Sequence, residues 1–287
     1  MRLTELLNKD EVTISCELFP PKQGAQLENY KNIVKDMAAL KPAYMSVTYG
    51  ATGGTSDYTV KLAEEVRNNN IPALAHLTCA SSTREKVASV IEELKAANIE
   101  NILALRGDIP ANADFPLPDQ YKHASELIAD IKAQGDFCIG GACYPEGHPE
   151  AATIFEDLDH LKEKVDAGCE FLTTQMFFDN SIFYNFMYRI REAGIMVPVV
   201  PGIMPITKRA QVKNAVKLSG CNVPERFKNI VDRFGDTEAA MRQAGVLYAT
   251  DQIIDLIANG VNHIHIYSMN KPEIARAIYN NLSHIII

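Results

Sequence analysis

The sequence lacks the features that mark several large classes of protein. Its 28 lysine and arginine residues form no long basic cluster and are outnumbered by 36 aspartate and glutamate residues, which gives a net charge of −8. Binding to a nucleic-acid backbone needs concentrated positive charge, so this composition argues against such a partner. The six cysteines are scattered and form no C-x-x-C pair, which indicates free thiols in a reducing compartment.

Long apolar runs and nucleotide-binding signatures are absent as well. No uninterrupted apolar stretch approaches the roughly 20 residues that a bilayer requires, and Met1 leads into a polar segment rather than the core of a signal peptide. We therefore expect a soluble, cytoplasmic protein with no membrane partner. The chain has no G-x-G-x-x-G after a strand, no P-loop and no G-x-S-x-G elbow, which argues against a Rossmann site, a P-loop site and a hydrolase nucleophile.

Eight short apolar runs rich in β-branched residues are spread over the whole chain, and each ends at a polar or turn residue. Helical patterns lie between them, so the predicted order is strand then helix, eight times over. This order favours an α/β protein folded as a (β/α)8 TIM-type barrel, whose active site lies at the carboxyl ends of the strands. The predicted strands are residues 13–16, 44–47, 72–75, 101–105, 137–143, 171–174, 197–200 and 263–266.

The chain length fits one such barrel. With 287 residues and 47% hydrophobic content, we expect a single catalytic domain over residues 1–287. Two connections are longer than the regular repeat. A proline-rich loop at 109–118 follows the fourth strand directly, and three extra helices are predicted between the seventh and eighth strands, at about 207–219, 224–234 and 236–259.

Two polar groups at predicted strand ends are candidates for chemistry. Glu17 follows the first strand among apolar neighbours, where desolvation would raise its carboxyl pKa and make it a general acid near neutral pH. A helix cap or a solvated loop carboxylate is the alternative. Arg106, Gly107 and Asp108 follow the fourth strand and could hold a polar ligand. For this tripeptide the alternative is an ion pair that stabilises the loop.

Four histidines also lie at or near strand ends. His76 ends the third strand and could titrate or donate a hydrogen bond, and His148 lies in a polar turn after the fifth. His263 and His265 share one face of the last strand. Since no acidic or further histidine cluster accompanies them, we interpret this pair as packing residues and expect no metal. The glycine-rich segment 50–54 is a weak indication of a phosphate site.

Seven motifs follow one another in order along the chain. They are ELFPP at 17–21, SVTYGA at 46–51, HLTC at 76–79, ALRGD at 104–108, YPEGHPE at 144–150, KVDAG at 164–168 and PGIMP at 201–205. Together they resemble 5,10-methylenetetrahydrofolate reductases of the short bacterial type. The resemblance extends from Glu17 to about Tyr279, and the seven motifs in register are more specific than any one alone.

The resemblance implies a flavin-bearing barrel that reduces methylenetetrahydrofolate to methyltetrahydrofolate in a ping-pong cycle, with NADH or NADPH as the donor. The implied catalytic residues are Glu17, as the acid that opens the substrate ring, and Asp108. FAD is implied rather than FMN. The implied cofactor contacts are Thr48, Tyr49, Ala51, His76, Arg106, Gly107, Asp108, His123, Ala124, Tyr144, His148, Asp157, His160 and Lys164. Folate contacts would be Asp108, Gln175, Gln211 and Lys271.

Several positions depart from the family pattern. His123, Glu163 and Lys271 stand where the pattern has tyrosine, arginine and arginine, and Ala215 stands where an aromatic residue often packs on the ligand. Lys271 retains a cation for the glutamate tail of folate but lacks the bidentate fork of arginine. Glu163 stands near the expected cofactor phosphate, and two negative groups repel each other. It therefore weakens the prediction of one contact to the adenine half of FAD.

The implied partners are folate and nicotinamide small molecules, and further copies of the chain in a homo-oligomer. Two other interpretations stay open. One is a metal-dependent hydrolase or lyase on the same barrel, which would need clustered strand-end ligands that the sequence lacks. The other is a flavin- or folate-binding subunit that receives electrons from a partner protein.

Overall fold

The computed structural model of the chain describes residues 1–20, 27–49, 56–80, 82–109 and 115–286. The predicted flavin contact Ala51, the segment 50–54 and residues 110–114 of the proline-rich loop lie outside these ranges. In chain order the elements are α1 Leu3–Leu7, β1 Thr13–Leu18, α2 Leu27–Ala38, β2 Met45–Val47, α3 Ser56–Asn68, β3 Ala73–Thr78, α4 Arg84–Ala96, β4 Asn101–Leu105, α5 Ala124–Gln134, β5 Cys138–Cys143, α6 Ile154–Asp166, β6 Phe171–Thr174, α7 Asn180–Glu192, β7 Val199–Val200, β8 Gly202–Ile203, α8 Arg209–Ser219, α9 Glu225–Phe234, α10 Glu238–Ala258, β9 His263–Ile266 and α11 Pro272–Asn281.

All neighbouring strands pair in parallel, in the order β7-β6-β5-β4-β3-β2-β1-β9-β8. The two ends of this order, β7 and β8, are separated along the chain only by Pro201. Proline has no N–H to donate to a ladder, so it divides one strand into two short pieces. One piece pairs with β6 and the other with β9, which closes the sheet into the predicted TIM-type barrel.

The predicted bounds of the fourth, sixth and last strands are confirmed, but β1 and β3 are longer than predicted. Glu17 and His76 therefore lie within strands rather than after them. Each interrupts an apolar run, yet the backbone ladder continues past it, because the ladder uses main-chain groups whatever the side chain.

The amino-terminal helix α1 covers the lower end of the barrel. Leu3, Leu6 and Leu7 pack with residues near the starts of the strands, including Tyr44 and Phe171. Phe171 fills space that Gly140 leaves free, since a Cβ on Gly140 would lie 2.4 Å from the Phe171 ring. This apolar layer fills the amino end and leaves the carboxyl ends of the strands for polar chemistry.

The three predicted helices between the seventh and eighth strands are confirmed as α8, α9 and α10. They form a satellite core in which Phe227 stacks on Phe178 and packs against Tyr248. Close approach of α10 depends on Gly245, because a Cβ there would lie 1.7 Å from the Ile206 carbonyl oxygen. Among the described residues, no helix is both long and apolar enough to cross a membrane.

Candidate active site

Two clefts open side by side at the carboxyl ends of the strands. The first, of about 410 Å³, is named the Arg106 cleft after the arginine in its wall. The second, of about 400 Å³, is named the Glu17 cleft. Leu105, Ala142 and Tyr144 line both, so the two clefts share a wall.

The structure sorts the predicted site residues between these clefts. Those lining the Arg106 cleft are Tyr49, Arg106, Gly107, Asp108, His123, Ala124, Tyr144, His148, Asp157, His160 and Lys164. Those lining the Glu17 cleft are Glu17, His76, Tyr144, Gln175 and Gln211. Thr48 is half-buried after β2 and Lys271 directly precedes α11, and neither is among the residues that line the two clefts.

Glu17 is a buried acid. Its residue is 7% exposed, and burial raises the pKa of its carboxyl group to about 8. The carboxyl group is therefore mostly protonated at neutral pH. A protonated carboxyl at the wall of a cleft can donate a proton to a bound molecule, which is the property expected of a general acid.

His76 lies beside Glu17 and is equally buried, at 7% exposed. The distance from His76 Nε2 to Glu17 Oε2 is 3.8 Å. Burial lowers the pKa of His76 to about 3, so both side chains are neutral near pH 7 and do not form an ion pair. His76 Nε2 has no hydrogen-bond partner within the described part of the chain.

Below this pair, His265 is held by two serines. Ser15 Oγ donates to the Ile264 carbonyl at 3.1 Å, so it accepts from His265 Nδ1 at 2.7 Å. Nε2 of His265 then accepts from Ser46 Oγ at 3.0 Å. Both ring nitrogens are satisfied by protein, as expected for a packing residue. The described residues contain no group of three or more histidine, cysteine, aspartate or glutamate side chains that could hold a metal ion.

Tyr267 was not assigned a role from sequence, although it directly follows β9. Its hydroxyl donates to the Thr174 carbonyl at 2.6 Å, and its ring packs edge-on against His265. The ring occupies the space above Gly202, where a Cβ would lie 2.3 Å from it. Glycine in the PGIMP motif is therefore required for Tyr267 to line the Glu17 cleft.

The two predicted folate-binding glutamines each use their amide oxygen internally. Gln175 Oε1 accepts from its neighbour Met176 N at 2.9 Å. Gln211 Oε1 accepts from the backbone N–H groups of Thr207 and Lys208 at 2.8 and 2.9 Å, which caps helix α8. Both side chains line the Glu17 cleft, and the Gln175 side chain also interacts with the Tyr144 hydroxyl.

The Arg106 cleft is charged. Arg106 forms a bidentate ion pair with Glu150, at 2.6 and 2.7 Å, which raises the arginine pKa and lowers that of the glutamate. The ion pair that was the sequence alternative for this loop thus exists, but with Glu150 rather than Asp108. Gly107 adopts a φ of +83°, and a Cβ there would lie 3.0 Å from Thr78 Cβ.

Glu150 belongs to the segment 144–150, here named the strap, which runs along the Arg106 cleft. Tyr144 and His148 pack edge to face at 4.6 Å between ring centroids. Arg189 donates to the Pro145 carbonyl at 2.9 Å, and the Asn222 N–H donates to Glu146 at 2.9 Å. The strap is therefore attached to α7, to the segment after α8 and to the fourth strand's loop.

The far end of the Arg106 cleft combines imidazole rings with a lysine. His123 and His160 stack at 5.8 Å between centroids, close to Asp157 and Glu163 in the cleft lining. Lys164 donates to the Ala142 carbonyl at 2.8 Å. Burial lowers the pKa of Lys164, and the neighbouring Cys143 and Asp157 only partly oppose this effect.

Comparisons with known proteins agree with the geometry. The sequence model of the family described as methylenetetrahydrofolate reductase matches residues 2–283. The 5,10-methylenetetrahydrofolate reductase of Pectobacterium carotovorum subsp. carotovorum is 34% identical, over 94% of this chain and 90% of that protein. The Escherichia coli (strain K12) protein of the same name is 33% identical, over 95% and 91%.

Other relatives are longer. A Zea mays protein named methylenetetrahydrofolate reductase (NADH) 1 is 35% identical over 99% of this chain, and the chain spans about half the length of such relatives. A solved structure has a TM-score of 0.67 at 14% identity and covers 99% of this chain and 100% of its own. It is an uncharacterized protein from Clostridium thermocellum described as binding two copies of 5-methyl-5,6,7,8-tetrahydrofolic acid, and the likeness supports the barrel fold. On the match over residues 2–283 and the bacterial relatives covered almost end to end, the chain belongs to the methylenetetrahydrofolate reductase family.

Proposed function

We propose that this protein reduces 5,10-methylenetetrahydrofolate to 5-methyltetrahydrofolate with electrons from NADH or NADPH. The observation that carries the proposal is Glu17, which is buried in a cleft that shares a wall with a second, cation-bearing cleft, and whose carboxyl pKa burial raises. Opening the five-membered ring of the substrate needs a proton on the departing nitrogen. A glutamic acid of raised pKa supplies one at neutral pH.

The Arg106 cleft fits a flavin nucleotide. Its flat side chains Tyr49, His123 and His160 suit aromatic rings, and Arg106 and Lys164 suit phosphate oxygens. A bound flavin would accept a hydride from the nicotinamide and later supply one to the folate. We propose FAD as this cofactor, on the family resemblance.

The substrate is assigned to the Glu17 cleft. Gln175 and Gln211 line it, and Asp108 lines the adjoining Arg106 cleft, from which we propose that it reaches the bound folate. Met176, Met204 and the small Ala215 make the remaining wall apolar and adaptable. Lys271 is assigned to the glutamate tail of folate, outside the two clefts. The folate ligands of the Clostridium thermocellum protein support this choice of substrate class.

We further propose that residues 1–287 act as one catalytic barrel domain and assemble as a homo-oligomer. The six cysteines are buried free thiols, which supports a reducing compartment and hence the cytoplasm. Light scattering of the purified protein measures the oligomeric state, and a monomer at micromolar concentration would contradict that part of the proposal.

The deciding experiment is anaerobic spectroscopy of the purified protein reconstituted with FAD. We expect a yellow protein that NADH or NADPH bleaches and that methylenetetrahydrofolate then reoxidises. A protein that binds neither FAD nor FMN would refute the proposal. If both nicotinamides leave the flavin oxidised while a ferredoxin-type protein reduces it, the chain is instead the subunit that receives electrons from a partner.

A further inference from the structure

His76, which the family resemblance implies as a flavin contact, also lies beside Glu17. His76 lines the Glu17 cleft and is absent from the residues lining the Arg106 cleft. Its Nε2 lies 3.8 Å from Glu17 Oε2, slightly beyond hydrogen-bond distance. A neutral imidazole and a protonated carboxyl can coexist at this separation because neither carries charge.

Loss of the Glu17 proton changes that balance. The carboxylate left behind is 7% exposed, and a buried carboxylate without a donor is costly. The neighbouring donors on and directly after β9 are committed, since both nitrogens of His265 bind serines and the Tyr267 hydroxyl donates to the Thr174 carbonyl at 2.6 Å. The Tyr44 hydroxyl is buried near Ser15 and Glu17 and has no hydrogen-bond partner within the described residues.

His76 Nε2, at 3.8 Å from Glu17 Oε2, is the donor that we assign to Glu17, and the buried Tyr44 hydroxyl is the alternative. The Nε2 atom of His76 is buried and has no partner within the described residues. The titratable groups around the pair are His265 on β9, Tyr267 directly after β9, Tyr44 before β2 and Tyr144 after β5, all neutral near pH 7. No fixed positive charge among these groups competes for the role.

We propose that His76 is a positioning residue for Glu17: its Nε2–H donates the hydrogen bond that the Glu17 carboxylate requires once the proton has left. The identity of the proton acceptor rests on the proposed function. In that step the O–H bond of Glu17 breaks, an N–H bond forms on the departing folate nitrogen, and that nitrogen keeps the electron pair of the broken C–N bond. His76 transfers no proton and only closes the short gap to the carboxylate.

The test is the pKa of Glu17, measured by infrared spectroscopy on the folded protein without flavin or folate. The carboxyl C=O band of Glu17 is identified by its disappearance in Glu17→Gln and followed over pH. His76→Phe removes the donor, and we expect the Glu17 pKa to rise by about one unit or more. His76→Gln places an amide N–H near the position of Nε2, and the pKa should stay close to that of the parent protein.

His265→Gln is the matched control, because His265 is a second buried histidine in the same barrel whose nitrogens are already bonded to Ser15 and Ser46. It should lower the unfolding temperature and leave the Glu17 pKa nearly unchanged. An unchanged pKa in His76→Phe, a pKa in His76→Gln that matches His76→Phe, or an equal shift in His265→Gln would each overturn the proposal. His76→Leu replaces His76→Phe if circular dichroism shows that the larger ring prevents folding.

A second measurement separates this inference from the proposed function. In the FAD-loaded protein, His76→Phe should slow folate reduction about tenfold and shift its pH profile with the Glu17 pKa. His76→Gln should restore both rate and profile. If the infrared shift is present but no folate is reduced by any variant or by the parent, the hydrogen bond stands and the proposed substrate is wrong.

Discussion

The two clefts handle ionisable side chains in opposite ways. In the Arg106 cleft the charges are kept and paired, as in the bidentate contact between Arg106 and Glu150, whose side chains are 22% and 56% exposed. In the Glu17 cleft the two ionisable side chains are uncharged near pH 7, because burial raises the pKa of Glu17 and lowers that of His76.

The difference follows from which parts of the fold build each cleft. Loops after the strands supply Arg106 and the strap, and an ion pair that water can reach is worth about 0–1 kcal/mol, so it exchanges readily for an anionic ligand. Strand interiors supply Glu17 and His76, where backbone pairing limits relaxation and solvent entry. The first cleft is suited to binding a charged cofactor and the second to holding a proton.

The largest effect expected is on proton donation by Glu17. Glu17→Gln keeps the size and hydrogen bonding of the side chain but removes the proton, so folate reduction should slow by about 10²–10⁴-fold. Flavin reduction by NADH, which needs no proton from this group, should be nearly unchanged. Stopped-flow measurement of each half-reaction checks the difference, and folate reduction within a few-fold of the parent would remove Glu17 from the mechanism.

The second prediction concerns how stability depends on pH. Rising pH should destabilise the fold through Glu17 in one cleft and stabilise it through Glu150 in the other. The folded state holds the Glu17 proton up to about pH 8, whereas an unfolded glutamate releases it near its ordinary value of 4.5. The folded state is therefore penalised increasingly as pH rises between these values. The free energy of unfolding of Glu17→Gln relative to the parent should grow from pH 5 to pH 8 by on the order of 1–4 kcal/mol.

Glu150→Gln is the control for that series. Arg106 lowers the pKa of Glu150, so its contribution is present at neutral pH and is lost as pH falls through the lowered value. Because the pair is exposed, the change should be at most about 1 kcal/mol. Urea unfolding at several pH values measures both variants, and parallel curves for Glu17→Gln and the parent would mean that Glu17 is not protonated in the fold.

The third prediction tests whether Arg106 serves the cofactor or only the strap. Arg106→Gln removes a charged donor and should weaken FAD binding by about 10–100-fold, as measured by quenching of flavin fluorescence. Arg226→Gln is the matched control, since Arg226 forms an exposed ion pair with Asp251 at 2.9 Å away from both clefts. Unchanged FAD affinity in Arg106→Gln would restrict Arg106 to its contact with Glu150.

The smallest effect is expected from releasing Arg106 without removing it. Glu150→Gln abolishes the competing carboxylate, so FAD should bind about two- to fivefold more tightly. The same fluorescence titration measures the change. Weaker binding would show instead that the ion pair holds the strap in the position that the cofactor needs.

Several features could be predicted from the sequence because they depend on local pattern. The apolar runs at β4, β6 and β9 matched their strands, and the helical periods after β8 matched α8, α9 and α10. Glu17 was singled out because a carboxyl group within an apolar segment is rare and chemically informative. The predicted carboxyl ends of β1 and β3 were too early, because Glu17 and His76 interrupt the apolar runs without ending the strands.

The sequence by itself thus determined the alternation of strands and helices, the family and most of the residues that meet at the barrel mouth, since these follow from hydrophobic period and motif order. Only the tertiary structure decided which side chains pair with one another. Arg106 pairs with Glu150, 44 positions away, rather than with nearby Asp108. His76 faces Glu17 rather than the Arg106 cleft. Such pairings, and the pKa values that depend on them, arise when barrel closure brings distant strands together and excludes water from the space between them.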